Sequence, residues 1–292
     1  MKVLIIGVTG MLGYSLFKNM ADIIDIDVYG TVRNIEGKEH YFNDLEDRLI
    51  KNVEAGDLAT LEAAINRVNP DVVINCIGLI KQHSVSKEHI SAIEINSLLP
   101  HQIAKLCTDY NCKLIHFSTD CIFDGKKGLY TENDTPDARD LYGKSKCLGE
   151  VDYGNHLTLR TSIIGHELNS SVSLIDWFLS QKNTVKGFSK AVFSGLPTCV
   201  IARLLVKNIL PAENLTGLYQ LSSEPIDKFN LLKLVSEVYG KKIEIIRSTA
   251  LEIDRSLNSE KLRNALHLEI PSWKNLISEM YEDFDKRYGE YR

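Results

Sequence analysis

The 292-residue chain is 44% hydrophobic and 25% charged, a globular composition that excludes a disordered chain and allows one large domain or two moderate ones. Its formal net charge of −5 argues against a partner such as nucleic acid or an anionic membrane held by bulk attraction, so an anionic ligand must be held locally. No apolar stretch reaches the roughly 20 residues that span a bilayer, no cleavage site follows Met1 to Gly7, and the six cysteines include no C-x-x-C pair, so a cytoplasmic chain is expected.

In chain order, Val3 to Val8 reads as a first strand, Met11 to Met20 as its helix and Asp27 to Val32 as a second strand. A weaker strand at Val53 to Ala55 leads to Asp57 and a helix from Ala59 to Val68. Asp71 to Cys76 is a continuous apolar run suited to a strand buried on both faces. A long helix is predicted from Lys87 to Tyr110, a strand at Lys113 to Ser118, a helix from Tyr142 to Tyr153 and a strand at Leu157 to Ser162. This alternation is the pattern of βαβ units, a doubly wound parallel Rossmann sheet. Beyond Gly165 the rhythm changes to amphipathic helices at Val172 to Ser180, Val200 to Ile209, Phe229 to Tyr239 and from Trp273, with a short strand at Tyr219 to Leu221. The predicted organisation is a cofactor domain over residues 1–165 and a smaller α/β substrate lobe over 166–292, with some segments crossing back. Trp177 and Phe178 fall within an apolar pattern and read as core.

Gly7-Val8-Thr9-Gly10-Met11-Leu12-Gly13 follows the first strand and opens the first helix. Glycines let the backbone turn tightly and approach a pyrophosphate, whose charge is met by free N–H groups and the helix dipole. A plain strand-to-helix turn is the competing reading, and the place of the glycines in a βαβ pattern favours a dinucleotide. The second strand ends in Tyr29-Gly30-Thr31-Val32-Arg33, with no carboxylate to accept from a ribose 2′-hydroxyl. Arg33 instead suits a 2′-phosphate, which favours NADPH over NADH unless Arg33 is a solvated surface residue.

Tyr142-Gly143-Lys144-Ser145-Lys146 places Tyr142 and Lys146 on one helix face. Free tyrosine has a pKa of about 10, and a fixed ammonium nearby would lower it and make a usable general acid or base. Upstream, Ser118-Thr119-Asp120 closes a strand, where a hydroxyl is placed to meet the same substrate oxygen.

Glycine turn, strand-end hydroxyl and tyrosine–lysine pair, in this order, resemble the extended short-chain dehydrogenase/reductases. His116-Phe117-Ser118-Thr119-Asp120-Cys121-Ile122-Phe123-Asp124-Gly125, Tyr130-Thr131-Glu132-Asn133-Asp134, Leu141 to Lys146, Gly149-Glu150 and Leu159-Arg160-Thr161-Ser162 look like the dTDP-4-dehydrorhamnose reductase group. Asn69 to Asn75 and Gly195-Leu196-Pro197-Thr198 are similar to further family segments. The resemblance implies an NADPH-dependent reductase of a nucleotide-linked 4-keto-6-deoxyhexose for surface polysaccharide, monomeric or homodimeric. In that picture Thr119 polarises the C4 carbonyl, Tyr142 delivers the proton, and Lys146 holds the nicotinamide ribose and tunes Tyr142. Gly7, Gly10, Met11 and Leu12 would contact the pyrophosphate, Asp57 and Leu58 the adenine, and Cys76, Ile77 and Gly78 the inner ribose region. Asp57 reads equally well as a helix N-cap. No metal-ligand cluster is recognisable.

Related 4,6-dehydratases carry Asp-Glu after the catalytic threonine, whereas Thr119 is followed by Asp120 and Cys121. Dehydration is therefore disfavoured, and Asp120 contacts substrate or structures its loop. Cys121 and Ile163 stand where the rhamnose reductases typically have tyrosine and tryptophan, so the sugar pocket is altered and a UDP-linked N-acetyl-4-hexulose becomes one candidate substrate. Cys121-Ile122-Phe123 is also similar to a segment of GDP-fucose synthase whose cysteine serves in epimerisation. The partner histidine of that enzyme has no match at Asn169-Ser170-Ser171, with His166 a few residues short, and a small buried cysteine filling space is the other reading. A third reading is a non-catalytic regulatory subunit, like the relative that binds methionine adenosyltransferase; the intact Thr119, Tyr142 and Lys146 favour catalysis. Lys81-Gln82-His83 are substrate contacts or solvated loop residues.

Overall fold

Short segments rich in apolar residues alternate with amphipathic ones in the first half of the chain and become strands, whose successive side chains point to opposite faces. A computed structural model describes residues 1–79 and 88–288. Strand β1 (Lys2–Ile6) leads to helix α1 (Met11–Ala21), β2 (Asp27–Thr31), β3 (Leu49–Ile50), α2 (Leu58–Val68) and β4 (Val72–Asn75). A helical stretch follows, made of α3 (His89–Ala92), a π-helical segment (Ile93–Leu98) and α4 (Leu99–Asp109). It precedes β5 (Lys113–Thr119), α5 (Leu141–Leu148) and β6 (Leu157–Thr161). The rest comprises β7 (Ile163–Ile164), α6 (Leu174–Ser180), β8 (Val185–Phe193), β9 (Leu196–Pro197), α7 (Thr198–Leu204) with a π-helical extension (Leu205–Ile209), β10 (Gly217–Gln220), β11 (Ile226–Asp227), α8 (Lys228–Val238), β12 (Ile245–Asp254), α9 (Glu260–Leu266) and α10 (Trp273–Arg287).

Seven strands form one parallel sheet in the order β10-β6-β5-β4-β1-β2-β3. A parallel sheet must be covered on both faces. Val3 and Ile5 of β1 join the core shared with Leu16, Phe17 and Met20 of α1, while Leu4 and Ile6 join Leu61 and Ile65 of α2 and Leu99 and Ile103 of α4. The strand order reverses between β1 and β4, and such a switch opens a ligand crevice at the carboxyl ends of the strands.

The chain crosses back into this layer late. β10 completes the sheet beside β6. From α10, Arg287 pairs with Asp22 and Asn19 next to α1, and Tyr288 packs edge-on against Tyr14. A second sheet holds β11, β8 and β12, with β8 and β12 parallel. Neither long strand was expected from the sequence. β8 turns small residues inward, with Gly187 seated against Phe229 of α8, and β12 is an edge strand exposed along most of its length, so neither carries a clear apolar alternation.

Three further expectations are corrected. The third strand is Leu49–Ile50 and not Val53 to Ala55, because the buried Leu49 and Ile50 pair with Gly30 and Thr31, and Asn52, at φ +62°, turns the chain away. The helix starting near Tyr142 ends at Leu148 and not at Tyr153, since Gly149 must pass against the Asn96 carbonyl, where a Cβ would collide. The long helix before Asn111 is interrupted by the π-helical segment, which ends just before Pro100, a residue with no N–H to return to Asn96. Phe178 is buried, whereas Trp177 is 37% exposed. Among the described residues no helix is long and apolar enough to cross a membrane, and no cluster of metal-ligand type is present.

Candidate active site

The turn after β1 is built by close backbone contacts. Gly7 has φ +88° and a Cβ there would strike the Ile77 side chain, while a Cβ on Gly13 would strike the Gly7 carbonyl. Both positions therefore demand glycine. The Gly7 N–H donates to Thr31 Oγ1 at 3.1 Å and the Val8 N–H to the Thr31 carbonyl at 3.1 Å, so the end of β2 pins the turn. On Gly10, the α1 N-cap, a Cβ would meet only the Gly7 carbonyl at 3.7 Å, leaving that face open. The first turn of α1 has neither a side-chain cap nor an acidic residue, so its free N–H groups and positive helix end are left to an anion. This cradle fits a pyrophosphate.

The other expected cofactor residues line the same sheet edge. Arg33 is exposed just past β2, and among the described residues its guanidinium has no partner. Asp57 is exposed and caps α2 by accepting from the Ala59 N–H at 3.0 Å, with half-buried Leu58 next to it. Cys76, Ile77 and Gly78 follow β4, and a Cβ on Gly78 would lie 3.8 Å from Lys146 Nζ. Lys81, Gln82 and His83 lie outside the described residues.

The residues expected to react lie at the end of β5 and on α5. Thr119 Oγ1 donates to Asp120 Oδ1 at 3.1 Å and accepts from the Cys121 N–H at 3.2 Å, and its hydroxyl is near enough to act on the Tyr142 phenol. Asp140 starts α5 by accepting from the Gly143 N–H at 2.8 Å. Gly143 itself allows α5 to lie on the Cys121 carbonyl and Ala138. Lys146, one turn beyond Tyr142 and 6% exposed, donates to the Phe117 carbonyl at 2.7 Å.

Burial is the largest influence on both side chains. It pushes the Tyr142 phenol well above its usual value, with the neighbouring acidic groups Cys121, Asp120 and Asp140 adding to the shift and the Thr119 hydroxyl opposing it. It pushes Lys146 down to about 8, against the charge of Glu150. The expected lowering of Tyr142 by Lys146 is thus not the dominant effect. Tyr142 is a protonated donor, and the ammonium is spent on a carbonyl of β5 and directed to the Gly78 loop.

Several residues given no role by the sequence support this arrangement. Asn96, in the π-helical segment, accepts from the Leu79 N–H at 2.9 Å and donates to the Leu79 carbonyl and Ser145 Oγ, both at 3.2 Å, tying the loop after β4 to α5. Asn75 accepts from the Ile77 N–H at 3.0 Å and meets His116 Nδ1 at 3.2 Å. Burial and the Lys146 charge hold His116 well below the usual imidazole value, so it is neutral. Beneath the site Arg160 grips Glu150 at 2.8 and 2.7 Å, and Glu150 accepts from Ser118 Oγ at 2.6 Å. The ion pair is almost fully buried and joins α5 to β5 and β6.

On the expected substrate side, Asp120 is buried and its carboxyl is raised by burial against the pull of Arg255. Cys121 is half-buried, its thiol pushed up to about 12 mainly by burial. Ile163 is half-buried on β7, beside Leu196 of β9. Arg255, which the sequence reading missed, places Nη1 3.7 Å from Cys121 Sγ. His166 is turned elsewhere: it is 2% exposed, with Nδ1 2.7 Å from Asp176 and Nε2 2.9 Å from the Tyr239 hydroxyl.

Comparison with known proteins agrees with this architecture. The crystal structure of dTDP-4-dehydrorhamnose reductase from Bacillus anthracis in complex with NADP superposes with a TM-score of 0.79 at 19% identity, covering 97% of this chain and 99% of that one. Escherichia coli dTDP-4-dehydrorhamnose reductase is 24% identical, with 96% of this chain and 98% of that protein covered. Zebrafish methionine adenosyltransferase 2 subunit beta is 24% identical over 82% of this chain and 74% of its own length. "Probable low-salt glycan biosynthesis reductase Agl14" of Haloferax volcanii is 27% identical over 51% of this chain, a match that spans 48% of that relative. A model of the RmlD substrate binding domain family matches residues 1–286, and the chain belongs to that family.

Proposed function

We propose that the protein is an oxidoreductase that uses NADPH, in preference to NADH, to reduce the 4-keto group of a nucleotide-activated 6-deoxyhexose for surface polysaccharide synthesis. The observation that carries this reading is the meeting of Thr119, at the end of β5, with the start of α5, where Gly143 beside Tyr142 packs on the Cys121 carbonyl and Lys146 lies one turn on, at the sheet edge that also holds the open glycine cradle. The names of the relatives supply the substrate class, and a UDP-linked N-acetyl-4-hexulose is one candidate within it.

When bound, the nicotinamide supplies hydride to the carbonyl carbon. The chain's own residues do the rest. The α1 amides and Arg33 hold the phosphates. Lys146, charged below about pH 8, reaches across the Gly78 loop to bind ribose hydroxyls. Tyr142, held protonated by burial, gives its proton to the substrate oxygen as negative charge develops there. Thr119 keeps the phenol aimed and reaches the same oxygen once it releases Asp120.

NADPH oxidation with a panel of dTDP-, UDP- and GDP-linked 4-keto-6-deoxyhexoses tests the reading, with turnover of at least one member expected. Absence of turnover throughout, in a protein that binds NADPH, would sink it and favour a regulatory subunit. Wash-in of deuterium at C3 or C5 that depends on Cys121 would add epimerisation to the reduction.

A further inference from the structure

Arg255 comes to the reactive cluster from the second sheet, 134 residues along the chain from Cys121. A backbone ladder delivers it. The Asp254 N–H donates to the Gly125 carbonyl at 2.7 Å, the Tyr130 N–H to Ser256 at 2.9 Å and the Asn258 N–H to Tyr130 at 2.7 Å, so the end of β12 lies along the loop that follows β5. Arg255 Nε donates to the Phe123 carbonyl at 2.9 Å, while Nη1 faces the Cys121 sulfur, a weak acceptor. Among the described residues Nη2 has no partner, and it is not among the sealed polar atoms, so one donor edge of a half-buried guanidinium stays open.

That edge lies on the Cys121 side of the cluster at the end of β5. Cys121 follows Thr119 by two residues, carries the carbonyl on which Gly143, next to Tyr142, is packed, and has its sulfur 3.7 Å from Arg255 Nη1, so the guanidinium reaches the cluster through Cys121. In a 4-keto-6-deoxyhexose, the carbonyl carbon is flanked by C5, which bears a methyl group, and by C3, which bears an oxygen or nitrogen substituent. A guanidinium offers only donors, and a charged donor in a half-buried site gains most from an acceptor that completes its hydrogen bonds. Building on the proposed reduction, we propose that Arg255 is a specificity-determining residue that donates from Nη2 to an oxygen acceptor on C3, either a hydroxyl or the carbonyl of an acylamino group.

The test uses the full chain, wild type and Arg255→Met, with NADPH and nucleotide-linked 4-keto-6-deoxyhexoses that carry at C3 a hydroxyl, an acetamido group or hydrogen. Calorimetric binding of the corresponding 4-hydroxy nucleotide sugars runs in parallel. Arg255→Met is expected to lower kcat/KM by about 10- to 100-fold, mainly through KM, where C3 bears an acceptor. The penalty should vanish with the 3-deoxy compound, and Arg255→Lys should recover part of the loss. The larger of the hydroxyl and acetamido penalties identifies the natural group. Equal penalties with and without a C3 acceptor, or none at all, would overturn the proposal in favour of a loop-pinning role; Arg255→Gln serves if the Met variant fails to fold. If wild type binds the sugars but reduces none, the reductase reading falls and the same comparison of Kd values decides Arg255. If no nucleotide sugar binds, both readings fall.

Discussion

The carboxyl edge of the seven-stranded sheet and the end of the second sheet build one site by opposite means. At the first, the groups are close in the chain: Tyr142 and Lys146 share α5, and Thr119 and Asp120 are adjacent. At the second, Arg255 arrives through a ladder between segments more than a hundred residues apart. The contrast suggests a division of labour, with chemistry held in rigid local geometry and choice of substrate held in a contact between layers.

The strongest way to break this division is Tyr142→Phe, which removes the donor and leaves the cradle intact. Turnover should fall by about 10²- to 10⁴-fold while NADPH titration is unchanged; a rate near wild type would take Tyr142 out of the chemistry. Next in size is Glu150→Ala, which leaves Arg160 charged and buried. A loss of about 3–5 kcal/mol in denaturant unfolding is expected, and a loss below about 1 kcal/mol would mean the pair does not anchor the site. Arg33→Ala sharpens the cofactor half of the comparison: the NADPH over NADH ratio in kcat/KM should drop by about tenfold or more, and an unchanged ratio would return Arg33 to solvent.

The smallest effect is a pH limb. Burial lowers Lys146 in the folded protein to about 8, so its ammonium is present below that pH and lost above it. kcat/KM should therefore decline as pH rises through about 8. Lys146→Arg, permanently charged, should lose the limb whatever its absolute rate. The same shift has a stability consequence of defined sign. Between about 8 and the ordinary lysine value of 10.5 the unfolded chain holds a proton that the folded one does not, so this group favours folding increasingly as pH rises across that window.

Much of the first sheet was legible because its signals are short-range. Val3 to Ile6 and Val72 to Ile74 are apolar runs, Gly7 must adopt φ +88°, and four-residue spacing on a helix puts two side chains on one face. The misses have equally specific causes. β3 was placed a few residues late because a two-residue strand is defined by its pairing with Gly30 and Thr31, and not by its own pattern. β12 was missed because Arg247, Ser248, Leu251 and Glu252 are exposed on an edge and show no alternation. Asn96 was missed because an asparagine inside a helical segment becomes a clamp only through Leu79 and Ser145, which the fold brings to it.

The sequence by itself determined the glycine turn, the parallel βαβ order and the shared helix of Tyr142 and Lys146, because each depends on backbone conformation or spacing within one element. Only the tertiary structure decided that Lys146 bonds to Phe117, that burial holds Tyr142 protonated, that His166 is occupied by Asp176 and Tyr239, and that Arg255 faces Cys121. Those facts follow from desolvation and from partners distant in the chain, which no local pattern of residues encodes.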